Sequence, residues 1–102
     1  MVNKKPKRQV ILITRDLNMP TIIRQDGFRI VIYPNDHVPA HVHVLKGDGE
    51  VRIDLGSIEP LLSPSLMSVT GKISDKDVAK ALSLVREHQI ELLEKWSEIH
   101  DG

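Results

Sequence analysis

Read as apolar and polar positions, the chain alternates every two residues in its first half and repeats every three to four residues in its last third. QVILIT (9–14) is a short β-branched run expected to form a strand or an element packed on one. TIIRQ (21–25) and FRIVIY (28–33) flank Asp26-Gly27, a dipeptide that favours a two-residue hairpin turn. Phe28, Ile30 and Ile32 alternate with Arg29, Val31 and Tyr33, and Pro34 ends the run. The loop PNDHVPA (34–40) is made of turn formers: Asn35 and Asp36 can bond their own backbone, and Pro39 restricts Val38.

HVHVLK (41–46) and EVRIDL (50–55) alternate most cleanly. A type I′ turn at Asp48-Gly49 predicts Gly47 opposite Glu50, Val44 opposite Ile53 and His43 opposite Asp54. That register gathers Val42, Val44, Val51, Ile53 and Leu55 on one face. His41, His43, Arg52 and Asp54 share the other face, with Leu45 as its apolar exception. A slip of one residue would turn every side chain over, so the clean alternation selects this register. His41 and His43 then project to the same side, roughly 6.5–7 Å apart along the strand.

Residues 56–73 are broken by Gly56, Pro60, Pro64 and Gly71, with LMSVTG (66–71) a candidate short strand. Ser74 followed by Asp77 is an N-capping pattern, and a helix is expected from there to the C-terminus. Val78, Leu82, Val85, Leu92, Trp96 and Ile99 form its apolar stripe, against Lys80, Glu87, Glu91, Glu94 and Glu98. This is one amphipathic helix of about six turns. The expected fold is α+β in two layers: a small, mostly antiparallel sheet of 4–5 strands packed on a long C-terminal amphipathic helix. Residues 9–102 are read as a single α+β domain, and residues 1–8 (MVNKKPKR) as a disordered basic arm.

Composition narrows the functional classes. The 102 residues contain no Cys, which excludes disulfides, thiolate metal sites and thiol nucleophiles. No apolar run is long enough for a membrane span or a signal h-region, so the cytoplasm is the expected location. A formal net charge of zero argues against a dedicated polyanion binder. The charge is nevertheless lopsided. Residues 1–52 carry nine Lys/Arg against five Asp/Glu, and residues 53–102 carry five against nine. The basic half can meet RNA, DNA or an acidic partner, or simply pair with the acidic half in the folded chain.

Three of the five histidines fall in PNDHVPAHVHVLK (34–46). One reading of His37, His41 and His43 is a transition-metal site, zinc or another divalent ion, since imidazole is the commonest nitrogen ligand for such metals. Asp54 is the carboxylate expected to complete it. Asp36 and Glu50 are alternative oxygen ligands or partners that orient an imidazole. A second reading makes His41 and His43 an acid–base pair for phosphodiester cleavage, with Arg52 or Arg29 steadying developing charge. RNA's own 2′-hydroxyl would then be the nucleophile, as in a metal-independent or metal-assisted ribonuclease. A third reading is structural: His37 and His41 brace the turn, and His43 occupies a polar sheet face. His88 borders the helical stripe and is expected to make a structural hydrogen bond. Gln89 is expected to bond a backbone group, and Trp96 to lie in the core.

From Met19 to Trp96 the chain resembles the prokaryotic family catalogued as domain of unknown function 4160. The resemblance rests on M-P-T-I (19–22), D-G-F-R (26–29), Y-P-N-D-H-V-P-A-H-V-H-V (33–44), K-G-D-G-E (46–50) and V-R-E-H-Q-I-E-L-L-E-K-W (85–96). An extra N-terminal segment (1–18) and a long linker (56–73) depart from the compact members. Either can add a strand, a partner surface or nothing functional. The resemblance implies a component of a small toxin–antitoxin-type module: a cytoplasmic protein that binds a small partner encoded nearby, with an RNA-directed role in the toxin case. It assigns no catalytic residues.

The reading drawn from the sequence is therefore a toxin–antitoxin-like component that binds a partner protein or RNA through its histidine-rich face. Arg24, Arg29, Tyr33 and Asp36 are the expected contact residues, with no membrane involvement and a homodimer as one expected assembly. The alternatives are a metal-binding protein using the H-x3-H-x-H cluster and a non-catalytic interaction module.

Overall fold

The computed structural model describes residues 11–12 and 21–101. Six antiparallel strands follow one another in sheet order: β1 (Ile11–Leu12), β2 (Thr21–Gln25), β3 (Phe28–Val31), β4 (His41–Lys46), β5 (Gly49–Asp54) and β6 (Ser65–Thr70). Two helices complete the chain, α1 (Asp75–Glu87) and α2 (Gln89–Asp101). The class is α+β, as expected. β1 has only two residues, and the five longer strands form a meander in which each is hydrogen-bonded to its sequence neighbour. The arm at 1–8 lies outside the described residues. Among those described, no helix is long and apolar enough to cross a membrane.

The first hairpin follows its sequence signal. Asp26 (φ 56°) and Gly27 (φ 84°) both have positive φ, as a type I′ turn demands, and Gln25 pairs with Phe28. The second hairpin corrects the expected register by two residues. Lys46 pairs with Gly49, His43 with Arg52, Val42 with Ile53 and His41 with Asp54. The turn is thus Gly47-Asp48, with Gly47 at φ 56° supplying the single left-handed position of a type II′ turn. Tertiary contact explains the choice. A Cβ at Gly49 would stand 2.5 Å from Ile73 Cβ, and one at Gly71 would stand 2.1 Å from the Asp48 carbonyl oxygen. The segment leading into α1 lies directly on this hairpin, and Gly49 fits there as a strand residue.

A two-residue shift preserves parity, so both faces are as expected. Val42, Val44, Val51, Ile53 and Leu55 are fully buried in one core with Ala81, Leu84 and Val85 of α1 and Leu92 and Trp96 of α2. The candidate strand at 66–71 is present as β6. Ser74 caps α1 by accepting from Asp77 N at 3.1 Å.

The single long helix is not what forms. The backbone breaks at His88 (φ −110°, ψ 20°), between Glu87 and Gln89. No Pro or Gly marks this position; long-range bonds surround it instead. His88 is buried, and its Nε2 meets Gln25 Oε1 of β2 at 2.8 Å while Nδ1 meets Glu91 Oε1 at 2.8 Å. Gln89 Nε2 donates to the carbonyls of Leu62 (2.8 Å) and Leu55 (2.9 Å), tying the 56–63 loop to the helical layer. The structural roles expected for His88, Gln89 and Trp96 are all present.

Two substitutions test this frame. Gln89→Met keeps the volume but removes the side-chain donor to the Leu55 carbonyl, while the Leu62 carbonyl keeps its bond from Ser57 N. It is expected to lower the unfolding free energy by about 1–3 kcal/mol in urea melts. Gly71→Ala forces a side chain into a left-handed position (φ 77°) against backbone, and is expected to cost about 2 kcal/mol or more by the same measurement.

Candidate metal centre

The site begins with a turn. Pro34 follows Tyr33, and Asp36 N donates to the Tyr33 carbonyl at 3.1 Å, closing a four-residue turn with proline at its second position. The Asp36 carboxylate folds back, so that its Oδ2 lies 3.4 Å from Tyr33 N. That same oxygen faces the start of β4. It is 3.0 Å from His43 Nε2 and 3.5 Å from His41 Nε2. One oxygen and two imidazole nitrogens therefore converge, all within 4.8 Å of one another.

The other ring nitrogens are committed elsewhere. His41 Nδ1 donates to the Pro39 carbonyl at 2.9 Å. A carbonyl can only accept, so the proton of a neutral His41 sits on Nδ1 and its Nε2 is a bare lone pair. That Nε2 is buried and has no hydrogen-bond partner. His43 Nδ1 lies 2.5 Å from Glu50 Oε2, so a carboxylate flanks each side of this ring. The side chains of His41, His43 and Asp36 are 5%, 10% and 18% exposed. Both imidazoles are thus anchored through Nδ1 and present Nε2 to a shared carboxylate, His43 within hydrogen-bonding distance of it; anchoring of the second ring nitrogen is what orients histidines that ligate metals.

The surroundings are partly aromatic. Tyr33 meets His43 edge-on at 4.7 Å between ring centroids, and His41 lies 5.1 Å from His43. Trp96 of α2 comes within 5.5 Å of His41, and His100 stacks on Trp96 at 3.7 Å. The site thus touches the helical layer where β4 begins.

Of the residues singled out from sequence, His41 and His43 are brought together, and Asp36 joins them. His37 is exposed and outside the convergent group. Asp54, opposite His41 in the ladder, accepts from Gly56 N at 2.7 Å and also stands outside it. Glu50 takes the orienting position on His43. Arg52 stands opposite His43 with its Nε buried and unpartnered. Arg24 and Arg29 face each other across β2 and β3, and Arg29 donates to Thr21 Oγ1 at 3.0 Å. The neighbourhood of Trp96 and His100 was not read from the sequence. Their i, i+4 spacing does put them on one helix face, but nothing local ties that face to β4.

Comparison with known proteins adds the family. No curated protein and no solved structure matches the chain. The family model described as Domain of unknown function (DUF4160) matches residues 27–97, a span that includes the Asp36 turn, both β4 histidines, Glu50 and most of α2. With well over half its length matched, the chain belongs to the DUF4160 family.

Proposed function

We propose that this protein binds a divalent transition-metal ion through Asp36, His41 and His43, and that the ion fastens the 33–40 turn onto β4. The observation that carries the reading is the buried, unpartnered Nε2 of His41, aimed at a carboxylate oxygen 3.5 Å away. Two electron-rich atoms at that separation repel unless a proton or a metal cation lies between them, and a metal also engages His43 through the same oxygen. The spacing from the carboxylate to each imidazole suits such an ion: metal–ligand bonds of 2.0–2.1 Å give a tetrahedral edge of about 3.3 Å, and the three ligand atoms, within 4.8 Å of one another, would close in on the ion. The two distances to Asp36 Oδ2, 3.0 and 3.5 Å, bracket that value. Two imidazoles and one carboxylate favour zinc, iron or nickel over calcium or magnesium, and zinc would take a fourth ligand from outside this set. Acid–base catalysis by His41 and His43 draws on the same Nε2 atoms, which here face Asp36 from buried positions; the metal reading uses both without displacing it.

Untagged protein stripped with chelator and titrated with Zn²⁺ or Co²⁺ is expected to take up one ion per chain. Trp96, the only tryptophan, lies close enough to His41 for bound Co²⁺ to quench its fluorescence. His41→Ala/His43→Ala is expected to lose uptake, and His37→Ala to keep it. Absence of stoichiometric uptake, or uptake that survives the double substitution, would remove the reading. Zn²⁺ at a hundredfold excess over Kd should add about 2.7 kcal/mol to the unfolding free energy. Glu50→Gln, which weakens the anchor of the His43 ring, is expected to lower affinity about 10–100-fold while keeping one ion per chain.

A second reading takes the same sheet face as the RNA contact of a toxin–antitoxin-type component. It is favoured by the Arg24–Arg29 cross-strand pair, since like charges directly opposite cost stability that an anionic partner returns. Arg24→Ala/Arg29→Ala should then weaken binding of short RNA oligonucleotides in fluorescence anisotropy and lower the salt slope by about 1 per lost phosphate contact. Unchanged affinity and slope would argue against it.

A further inference from the structure

We propose that Arg52 and Ser68 hold a tetrahedral oxyanion, inorganic phosphate or the phosphoryl group of a larger molecule, whose remaining oxygen completes the metal coordination; the inference rests on the metal reading above. One row across the sheet brings the parts together. His43 pairs with Arg52 between β4 and β5, and Arg52 pairs with Ser68 between β5 and β6. Residues directly opposite in antiparallel strands point to the same face, with Cβ atoms about 4.5–5.5 Å apart. A metal ligand, a guanidinium and a hydroxyl therefore stand in a row on the face opposite the valine core. Ser68 is also the one half-buried residue of β6, and the other five are exposed.

Arg52 is the member of the row left unpaired. Its Nε is buried without a hydrogen-bond partner, and its guanidinium makes no ion pair or hydrogen bond with any described residue. The two carboxylates that flank it along β5 are engaged elsewhere, Glu50 with His43 Nδ1 and Asp54 with the Gly56 amide. A buried charged donor without an acceptor is unfavourable, and a ligand that brings its own oxygens removes the deficit. On the other side of His43 the metal supplies the complementary need. Two imidazoles and one carboxylate leave a tetrahedral zinc with a fourth position to fill. An anion is the ligand that a metal ion and a guanidinium on one face both attract. Shape then selects among anions. The guanidinium fork grips two oxygens, the Ser68 hydroxyl donates to one, and the metal takes another. A carboxylate has two oxygens for these three partners, whereas a tetrahedral oxyanion has enough for all.

The protein loaded with Co²⁺ tests this, because a new oxygen ligand changes the visible absorption of the ion. Inorganic phosphate is expected to shift that spectrum saturably at one anion per chain, and acetate to bind at least about tenfold more weakly. Arg52→Gln should still take up one Co²⁺ per chain but weaken phosphate binding at least about tenfold. Arg52→Lys should restore only part of the loss, since an ammonium lacks the fork. Tighter binding of phenyl phosphate than of inorganic phosphate would identify a phosphate ester as the ligand, and the reverse order the free anion. A Co²⁺ spectrum indifferent to phosphate, acetate binding as tightly, or phosphate affinity untouched by Arg52→Gln would overturn the proposal and leave the metal reading standing. Loss of Co²⁺ uptake in Arg52→Gln would overturn it too, by assigning Arg52 to the frame of the metal site. Failure of the unsubstituted chain to take up Co²⁺ would remove the metal reading itself, and this inference with it.

Discussion

Along β4 every second residue serves a different environment. Val42 and Val44 close the core beneath the helices, while His41 and His43 turn to the Asp36 loop. Core and site are therefore set by one parity. Burying a valine contributes about 1.5–3 kcal/mol, so turning β4 over would forfeit about 3–6 kcal/mol from Val42 and Val44 alone. Whole domains are stable by only about 5–15 kcal/mol. The valines thus hold the histidines in place from the opposite face of the strand. A two-residue slip does not incur this cost, because it returns every side chain to its own face. Something else must choose between registers of equal parity, and here it is the close approach of the 71–73 segment to Gly49 and Asp48.

That division explains what could be read from the sequence. Alternation and turn chemistry act over a few residues, so the strands, the Asp26-Gly27 turn, the Ser74 cap and the two faces of the β4–β5 hairpin were all legible there. The Gly47-Asp48-Gly49 stretch holds two overlapping dipeptides able to turn, and a contact from more than twenty residues away decides between them. The break at His88 is of the same kind. The apolar period runs straight through it, and the bonds that occupy it come from Gln25, Leu55 and Leu62. Local pattern had no means of reporting these partners.

The site divides along the same line. That His41 and His43 share a side follows from period two, and the structure keeps it. Which carboxylate they share depends on how a loop folds back, and here spacing along the chain misleads. Asp54, opposite His41 in the ladder, spends its carboxylate on the Gly56 amide at the bend leaving β5. Glu50, two positions along the same face from Arg52, reaches the far nitrogen of His43.

The contrast between Asp36 and His37 shows what the turn contributes. They are adjacent, and either could ligate a metal. The bond from Asp36 N to the Tyr33 carbonyl fixes residue 36 as the closing member of the turn. Its short side chain then bends back over the turn toward Tyr33 N, which aims Oδ2 at the two imidazoles. His37, one residue further, has left the turn and faces solvent. A proline that pre-sets the turn, an aspartate at its close and two histidines two residues apart on the following strand thus form one unit. Proline and aspartate lower the cost of ordering the loop before any ion arrives. With both Nδ1 atoms already held, a ligand at this site meets donors whose orientation has largely been set.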